Sequence, residues 1–435
     1  ITPLGGHPQA DTPNIERLAK LGMLFENAHC VTPACNPSRA ALLWGIRPST
    51  SGVYLNSQPT DQAAHLQDKP TLPQWMSRQG YRSIGSGKIF HAGPGRMDFW
   101  DHYERLPGSG QPDKKPANGI PGSGNLDWGP TKQGDEAFGD YKTATWVAEQ
   151  LRKEHDQPLF LACGIFRPHL PWYVPRKYFE RYPLEEIQLP HHLEGDLDDI
   201  PPAGKRMAGG RDHKRITGAG GWKAAVQGYL ASIAFADTQI GRVLDAYEDS
   251  PRKDNTYIVF WTDHGWSLGE KEHWRKFALW EEPTRTPVII AGPGIKPGRT
   301  AQPVSLLDLF PTICELAGIE GPAQLEGRSL VPLLENPEVD WDHLAVTTYG
   351  RNNHAVRGPR WRYIRYADGS EELYDHEVDP HEHKNLAGDP AFGPEIQRLA
   401  RALPKVNAPD APKAPGKKKA QRKPKDNQTR DPIRK

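Results

Sequence analysis

The chain has 435 residues, of which 36% are hydrophobic and 25% are charged, and its formal net charge is +1. A chain of this length can enclose a large hydrophobic core, so it is not a small scaffold that depends on disulfides. Its four cysteines match no zinc-binding spacing, although Cys30 and Cys35 could form a disulfide. No apolar run approaches the length of a membrane span.

The near-neutral net charge conceals a basic C-terminal end. Residues 404–435 contain eleven Lys and Arg and three Asp, and they include several prolines. This composition predicts a disordered, solvated tail over 404–435, and attraction to an anionic polymer or membrane surface is the alternative. The tail lacks interleaved aromatic residues, which argues against a nucleic-acid-binding protein.

The N-terminal third alternates short helices with loops. A helix is predicted over 12–21, and a second over 35–45 because Pro37 and Ser38 suit a first turn. A third helix over 71–80 precedes a strand at 81–83, and 85–93 is predicted to form the loop at its end. Glycine, proline and polar residues over 106–135 predict a long surface loop.

Buried strands and amphipathic helices follow in alternation. Helices are predicted over 141–154 and 224–247, the latter from apolar residues recurring at three and four positions. Short apolar runs at 158–164, 256–260 and 287–291 predict buried strands. This alternation predicts an α/β layered domain over 1–340, with ligands bound beyond the carboxyl ends of its strands.

The pattern changes near residue 341. Alternating polar and apolar residues at 355–357, 361–366 and 372–375 predict antiparallel strands, with a hairpin turn at 367–369. We therefore expect a smaller C-terminal α+β subdomain over 341–403.

One segment of the second helix carries the most specific motif. The run Cys35-Asn36-Pro37-Ser38-Arg39 resembles the C-x-P-S-R signature of type I sulfatases, which belong to the alkaline phosphatase superfamily. A helix N-terminus attracts anions, and the planar guanidinium of Arg39 could bind one. Judged by the residues alone, an ordinary buried cysteine before a helix is the alternative.

Further motifs resemble the same family and follow in the family's order, with details closest to its iduronate-2-sulfatase-like branch. They are the T-P-N-I stretch at 12–15, Gly87-Lys88 with His91, Arg167-Pro168-His169, Thr262-Asp263-His264-Gly265, Gly269-Glu270 with Lys276, and the E-L-Y-D stretch at 372–375. The resemblance implies a large mixed sheet sandwiched by helices. It also implies that the family's first strand, with any export signal, is missing before Ile1.

The resemblance assigns a role to each candidate residue. A separate formylglycine-generating enzyme would oxidise Cys35 to formylglycine, whose hydrated aldehyde is the nucleophile. Residue 35, Asp263 and His264 would bind a divalent cation, expected to be Ca²⁺. The anion-binding and proton-transfer groups would be Arg39, Lys88, His91, His169 and Lys276. Local alternatives stay open for these residues: a turn at Asp263, a proline-locked loop histidine at His169, and solvated lysines at Lys88 and Lys276.

These motifs together imply a periplasmic or secreted sulfuric ester hydrolase that acts on a sulfated small molecule or glycan. A phosphonate or phosphodiester hydrolase of the same superfamily is one alternative. The family also binds its metal through two adjacent aspartates at the end of its first strand, and this chain begins after that point. A catalytically impaired carbohydrate-binding fragment is therefore a second alternative.

Overall fold

The computed structural model describes residues 1–91 and 97–414. The helices in this part of the chain are α1 Pro13–Ala19, α2 Cys35–Trp44, α3 Pro48–Ser51, α4 Leu72–Arg78, α5 Gly139–Arg152, α6 Arg176–Phe179, α7 Pro202–Ala208, α8 Arg211–Gly218, α9 Trp222–Glu248, α10 Glu281–Thr284, α11 Leu309–Leu316, α12 Val331–Glu335 and α13 Gly393–Ala400. None of the helices described is both long and apolar enough to cross a bilayer.

The strands are mostly short. They are β1 Gly22–Phe25, β2 Ala28–His29, β3 Arg82–Gly87, β4 His102–Glu104, β5 Trp128–Thr131, β6 Leu159–Gly164, β7 Trp172–Pro175, β8 Ile258–Trp261, β9 Ser267–Leu268, β10 Trp274–Arg275, β11 Val288–Ala291, β12 Gly298–Thr300, β13 Val304–Ser305, β14 Ala345–Thr348, β15 His354–Arg357, β16 Trp361–Arg365 and β17 Glu371–Asp375. β5 lies inside the segment predicted as one long loop and pairs with β7.

Two sheets form the centre of the large domain. One has the order β12-β1-β11-β8, in which β11 is antiparallel to both β1 and β8, and β12 is parallel to β1. The other has the order β4-β3-β6 and is parallel. The α/β class is confirmed, but the expected single large sheet is divided, because no strand among the described residues is hydrogen-bonded to both β6 and β8.

Helices cover both faces of these sheets. Side chains that alternate along the strands divide between two hydrophobic clusters, as the two-residue repeat of a strand requires. One cluster joins α2, α4 and α11 to Phe25, Phe160, Val259 and Trp261. The other joins α1 and α9 to Leu24, Ile258, Phe260 and Ile289. Because β6 and β8 contribute to the same cluster, the two sheets lie in one layer.

The C-terminal part contains the antiparallel sheet that the alternating pattern predicted. Its strand order is β14-β15-β16-β17, and the β16–β17 hairpin turns through residues 366–370. One face packs against α13 through Val356, Tyr363 and Leu399. The opposite face packs on the large domain through Ile364, Tyr374 and Trp280.

Residues 404–414, at the start of the segment expected to be disordered, are held against the large domain. The backbone N–H groups of Ala408, Ala411 and Ala414 donate to carbonyl oxygens of residues 49, 52 and 57 at 2.7–2.8 Å. The Tyr54 hydroxyl donates to the carbonyl oxygen of Ala408 at 2.8 Å. The prediction of disorder is therefore wrong for 404–414, because the N–H groups of these three alanines, which lie between prolines, find acceptors on the large domain. Residues 415–435 lie outside the described residues.

A buried arginine joins the C-terminal sheet to the large domain. Arg362 on β16 is 1% exposed and forms ion pairs with Glu281 of α10 and Glu382, the latter at 2.5 Å. Its Nη1 also donates to the carbonyl oxygen of Leu279 at 3.0 Å. These contacts link the sheet to the segment that follows Lys276.

We expect Arg362→Met to lower the free energy of unfolding by about 3–5 kcal/mol, because it removes the cation that two buried carboxylates share and leaves them only Arg357 and His376. The matched control is Arg360→Met, which removes a half-exposed ion pair with Asp375 on the neighbouring hairpin and should change stability little. Urea denaturation followed by tryptophan fluorescence measures both. Equal losses of unfolding free energy in the two variants would contradict the stabilising role assigned to the buried Arg362 contacts.

A buried histidine makes stability depend on pH. Burial, and then the charge of Arg365, lower the pKa of His354 from its ordinary value of 6.5 to about 4. Below pH 6.5 the unfolded chain binds a proton at this residue and the folded chain does not, so the free energy of unfolding falls as pH decreases toward 4.

We expect this loss to be on the order of 1–3 kcal/mol, and His354→Gln should remove it. Denaturation of both proteins at pH 7.5 and at pH 4.5 measures the difference. Parallel pH dependences in the wild type and the variant would contradict it.

Candidate active site

The site is built around the first residue of α2. Cys35 lies at the helix N-terminus and is 1% exposed. Its neighbour Asn36 is held by Asn56, whose side-chain oxygen accepts from the Asn36 N–H at 2.8 Å, and by the carbonyl oxygen of Gln58 at 2.6 Å. The two bonds fix the first turn of α2. All four cysteines are free thiols, so the disulfide that the sequence allowed between Cys30 and Cys35 is not formed.

Two lysines point at the Cys35 sulfur from different parts of the chain. Lys276 follows β10, is 4% exposed, and its Nζ lies 3.0 Å from Sγ. Lys88 follows β3, and its Nζ lies 3.8 Å from Sγ. Burial, and then Arg39, lower the pKa of Lys88 below its ordinary value. The two ammonium groups make a cationic pocket over the helix N-terminus, which is suited to an anion.

Asp263 lies at the carboxyl end of β8 and is oriented by α2. Its Oδ2 accepts from Arg39 Nε at 2.7 Å, and its backbone carbonyl accepts from Ser38 Oγ at 2.6 Å. Although burial opposes the shift, Arg39 and then His264 hold the pKa of Asp263 well below its usual range. Arg39 Nη1 donates to the carbonyl oxygens of Lys88 and Ile89, so this guanidinium also fixes the loop that carries Lys88.

Three histidines reach the same sulfur. His264 Nε2 lies 3.3 Å from Sγ, and its Nδ1 is hydrogen-bonded to the carbonyl oxygen of Gly265. The rings of His169 and His91 also lie near Sγ, where they favour its ionised form. Burial opposes ionisation of Cys35, but the charge of His264 and the proximity of all three rings hold the pKa of the thiol far below its ordinary value. Position 35 is therefore built to carry a negative charge.

His169 is held in one orientation by the loop around it. Its Nδ1 contacts the carbonyl oxygen of Leu170 at 2.7 Å, which makes Nδ1 the donor and leaves Nε2 for Sγ. The preceding Arg167 is buried and donates to the carbonyl oxygen of Tyr173. Burial lowers the pKa of His169 below its ordinary value.

The structure thus groups the candidate residues around Cys35 at the start of α2, and their catalytic roles stay predictions. The sequence interpretation overlooked the aromatic rings beside them. The Phe166 ring centroid lies 4.7 Å from that of His169 and 4.9 Å from Lys88 Nζ. Trp266 and Phe277 lie 5.5 Å from Lys276 Nζ. Phe166 precedes Arg167-Pro168, Trp266 follows the Asp263-His264 motif, and Phe277 follows Lys276. This adjacency to predicted motifs is the sequence signal that could have identified the three rings.

Within residues 1–91 and 97–414, two compact groups of side chains could hold a metal ion. Ligand atoms of Cys35, Asp263 and His264 all lie within 4.8 Å of one another. A second cluster, Glu281, His376 and Glu382, has the same compactness, but Arg362 pairs with both of its glutamates. This second cluster is therefore a charge-compensated network rather than a cation site.

Comparison with known proteins agrees with this geometry. Residues 3–319 match the family described as Sulfatase, and residues 269–408 match that described as N-sulphoglucosamine sulphohydrolase, C-terminal. The chain is 41% identical to a sulfatase of Formosa agariphila over 430 residues, covering 94% of this chain and 84% of the relative. It is 30% identical to iduronate 2-sulfatase of Homo sapiens, covering 80% of this chain and 76% of the relative.

A solved structure shares the fold. The phosphonate monoester hydrolase SpPMH from Silicibacter pomeroyi superposes with a TM-score of 0.76 at 22% identity, covering 90% of this chain and 89% of that one. At this identity the likeness concerns the fold alone. The family match over most of the chain decides the assignment: this protein is a member of the type I sulfatase family and a sulfuric ester hydrolase.

Proposed function

We propose that this sulfatase uses a formylglycine made from Cys35 to release sulfate from sulfated carbohydrates. The observation that carries the proposal is the pair of lysines, Lys276 and Lys88, whose Nζ atoms converge on one buried sulfur at the N-terminus of α2. Formylglycine supplies a hydrated aldehyde with two hydroxyl groups. The oxygen of one attacks the sulfur of the sulfate ester, and the other later expels the sulfate from residue 35.

The lysines and Arg39 have different parts in this proposal. Lys276 and Lys88 bind the nonbridging oxygens of the sulfate, and they compensate the charge that develops as the ester bond breaks. Arg39 acts mainly as a positioning residue, because its Nε and Nη1 are engaged by Asp263 and by the carbonyl oxygens of Lys88 and Ile89. Its charge still adds to the cationic field of the site.

Proton transfer falls to the histidines. His169 presents Nε2 toward position 35 because Nδ1 is engaged by Leu170, and in its protonated, imidazolium form it can donate the Nε2 proton to the departing alcohol. His91 lies near the same position and accepts the proton when sulfate is expelled. Lys276 also lies within reach of the leaving oxygen and assists its departure.

We propose Ca²⁺ as the divalent cation that the family implies. The carboxylate of Asp263 is a suitable ligand, since calcium prefers oxygen, and an oxygen at position 35 would be a second ligand. His264 supplies a nitrogen, which calcium accepts less readily. Calcium takes six to eight ligands, so these residues form only part of its coordination shell. A bound cation would lower the energy of negative charge on the oxygen at position 35.

Sulfated carbohydrate is the proposed substrate class because relatives such as iduronate 2-sulfatase are named for such esters. The phosphonate or phosphodiester alternative shares the fold. Phosphate monoesters carry one more negative charge than sulfate esters near neutral pH. Here one of three cations, Arg39, is already neutralised by Asp263, which disfavours a phosphate monoester. Phosphodiesters and phosphonate monoesters are monoanions like sulfate esters, so only measured rates separate these substrates. We also propose a periplasmic or secreted location, supported by family membership.

The direct test is a mass spectrum of the peptide that contains residue 35, combined with rates on matched esters. The proposal expects an aldehyde at position 35 and faster hydrolysis of a sulfated uronic-acid disaccharide than of phosphonate and phosphate esters. An unmodified thiol in active protein would refute the formylglycine. Faster cleavage of the phosphonate would refute the sulfate assignment. Binding of the disaccharide without turnover would support the impaired carbohydrate-binding alternative.

A further inference from the structure

The segment that delivers Lys276 to the site has an unusual backbone. Within residues 1–91 and 97–414, six residues other than glycine have a positive φ, and four of them lie in one short stretch: Lys271, Glu272, Arg275 and Phe277. Residues with side chains are disfavoured in this left-handed region and persist there where surrounding contacts hold the backbone. Arg275 and Phe277 flank Lys276, with φ values of 79° and 84°. The backbone on both sides of this lysine therefore depends on tertiary contacts.

Two contacts hold the peptide group between Lys276 and Phe277. The carbonyl oxygen of this group belongs to Lys276 and lies 2.8 Å from Nε2 of His273. The N–H of this group belongs to Phe277 and donates to the carbonyl oxygen of Pro33 at 3.1 Å. Pro33 lies two residues before Cys35, so the peptide group is tied directly to the segment that carries the reactive position.

The observed orientation of this peptide group is not the one that the local backbone prefers. Turning the planar group by half a turn reverses its C=O and N–H directions by changing ψ of Lys276 and φ of Phe277. Such a flip would take Phe277 out of the left-handed region. It would also break the tie to Pro33 and loosen the position of Lys276, whose Nζ lies 3.0 Å from Sγ of Cys35. The hydrogen bonds at the two ends of the group oppose this flip.

The ring of His273 is itself held in place. It is 4% exposed, and its Nδ1 lies 2.9 Å from the carbonyl oxygen of Ala208, the last residue of α7. Burial lowers the pKa of His273 below its ordinary value, so near neutral pH the ring carries one N–H and donates to one of its two carbonyl neighbours. Gly209, beside Ala208, is exposed, whereas Lys276 is buried. Because a buried acceptor is the costlier one to leave unbonded, this contrast assigns the proton to Nε2.

We propose that His273 is a positioning residue for Lys276: it donates from Nε2 to the Lys276 carbonyl oxygen and locks the peptide group between residues 276 and 277. The lock keeps this group bonded to Pro33 and holds the Lys276 ammonium group against position 35. His273 acts through the backbone of Lys276 and takes no part in proton transfer. The effect on catalysis rests on the proposed function, whereas the lock itself does not.

Three variants of the full chain separate the two contacts of the ring. His273→Leu removes both contacts at a similar side-chain volume. His273→Gln carries its amide nitrogen near the position of Nε2 and can donate to Lys276. The matched control is His273→Asn, whose shorter amide lies near the position of Nδ1 and reaches only toward Ala208.

The first measurement is amide hydrogen exchange of the Phe277 N–H, without substrate. We expect this exchange to become at least about tenfold faster in His273→Leu and in His273→Asn, because the freed peptide group opens locally. His273→Gln should stay closer to the wild type. Unchanged exchange in the Leu and Asn variants, or equally fast exchange in the Gln and Asn variants, would overturn the lock. The Asn and Gln variants keep this test decisive if His273→Leu does not fold.

A double-mutant cycle then tests whether His273 acts through Lys276. We expect His273→Asn to lower kcat/KM for the sulfated disaccharide by about 10-fold to 10²-fold, the cost of slightly misplacing a catalytic group. In a Lys276→Met background the same substitution should cost no more than about twofold, because residues that act through one interaction are not additive. Equal losses in both backgrounds would show a merely structural role and overturn the positioning role. If the wild type releases no sulfate, the proposed function fails, and the exchange measurement still decides the lock.

Discussion

Replacing Cys35 with serine is expected to reduce sulfate release by on the order of 10⁴-fold or more, as loss of a covalent nucleophile does in other hydrolases. Serine has one hydroxyl, so a sulfate transferred to it has no neighbouring hydroxyl to expel it. Serine also lacks the thiol that would be oxidised to formylglycine. The measurement is sulfate released from a sulfated disaccharide, with circular dichroism to confirm that the variant is folded.

The matched control is Cys163→Ala. Cys163 is another free thiol, which lies on β6, and within the described part of the chain its sulfur forms no hydrogen bond with Lys88, Lys276 or His169. Burial raises its pKa to about 12, so it is inert where Cys35 is activated. We expect its rate to stay within a few-fold of the wild type. Sulfate release by Cys35→Ser at the wild-type rate would contradict the proposed mechanism.

Replacing Lys276 with methionine should reduce kcat/KM by about 10²–10³-fold, the usual cost of removing one preorganised group that stabilises developing charge. Lys276 Nζ is 3.0 Å from Sγ of Cys35 and lies between the rings of Trp266 and Phe277. Little water reaches this position, so the electrostatic interaction is only weakly screened. Steady-state kinetics on the sulfated disaccharide measure the loss.

Lys271→Met separates this effect from the loss of any buried cation. Lys271 is also 4% exposed, but its Nζ forms an ion pair with Asp196 at 2.9 Å and does not contact Cys35. We expect the Lys271 variant to lose stability, because it leaves Asp196 without this partner, while its kcat stays within a few-fold of the wild type. Equal losses of kcat in both variants would show that Lys276 acts through stability.

The elements that local chemistry controls were predicted well. The helix predicted over 71–80 is α4, and it begins at Thr71 because Thr71 and Gln74 form a capping box. The apolar runs at 158–164 and 287–291 are β6 and β11. The short strands β2, β9, β10 and β13 were not predicted, because two residues carry no periodic pattern and pair only when distant segments meet.

The sequence by itself determined the family and the candidate residues, because the reacting groups are contained in short motifs with fixed spacing, such as Cys35 to Arg39. Only the tertiary structure decided which contacts each of these groups makes. It shows Arg39 engaged by Asp263, places aromatic rings around Lys276, and leaves β6 and β8 facing one cavity. The Arg39–Asp263 ion pair joins residues 224 positions apart, and local sequence carries no record of which distant partners the fold will bring together.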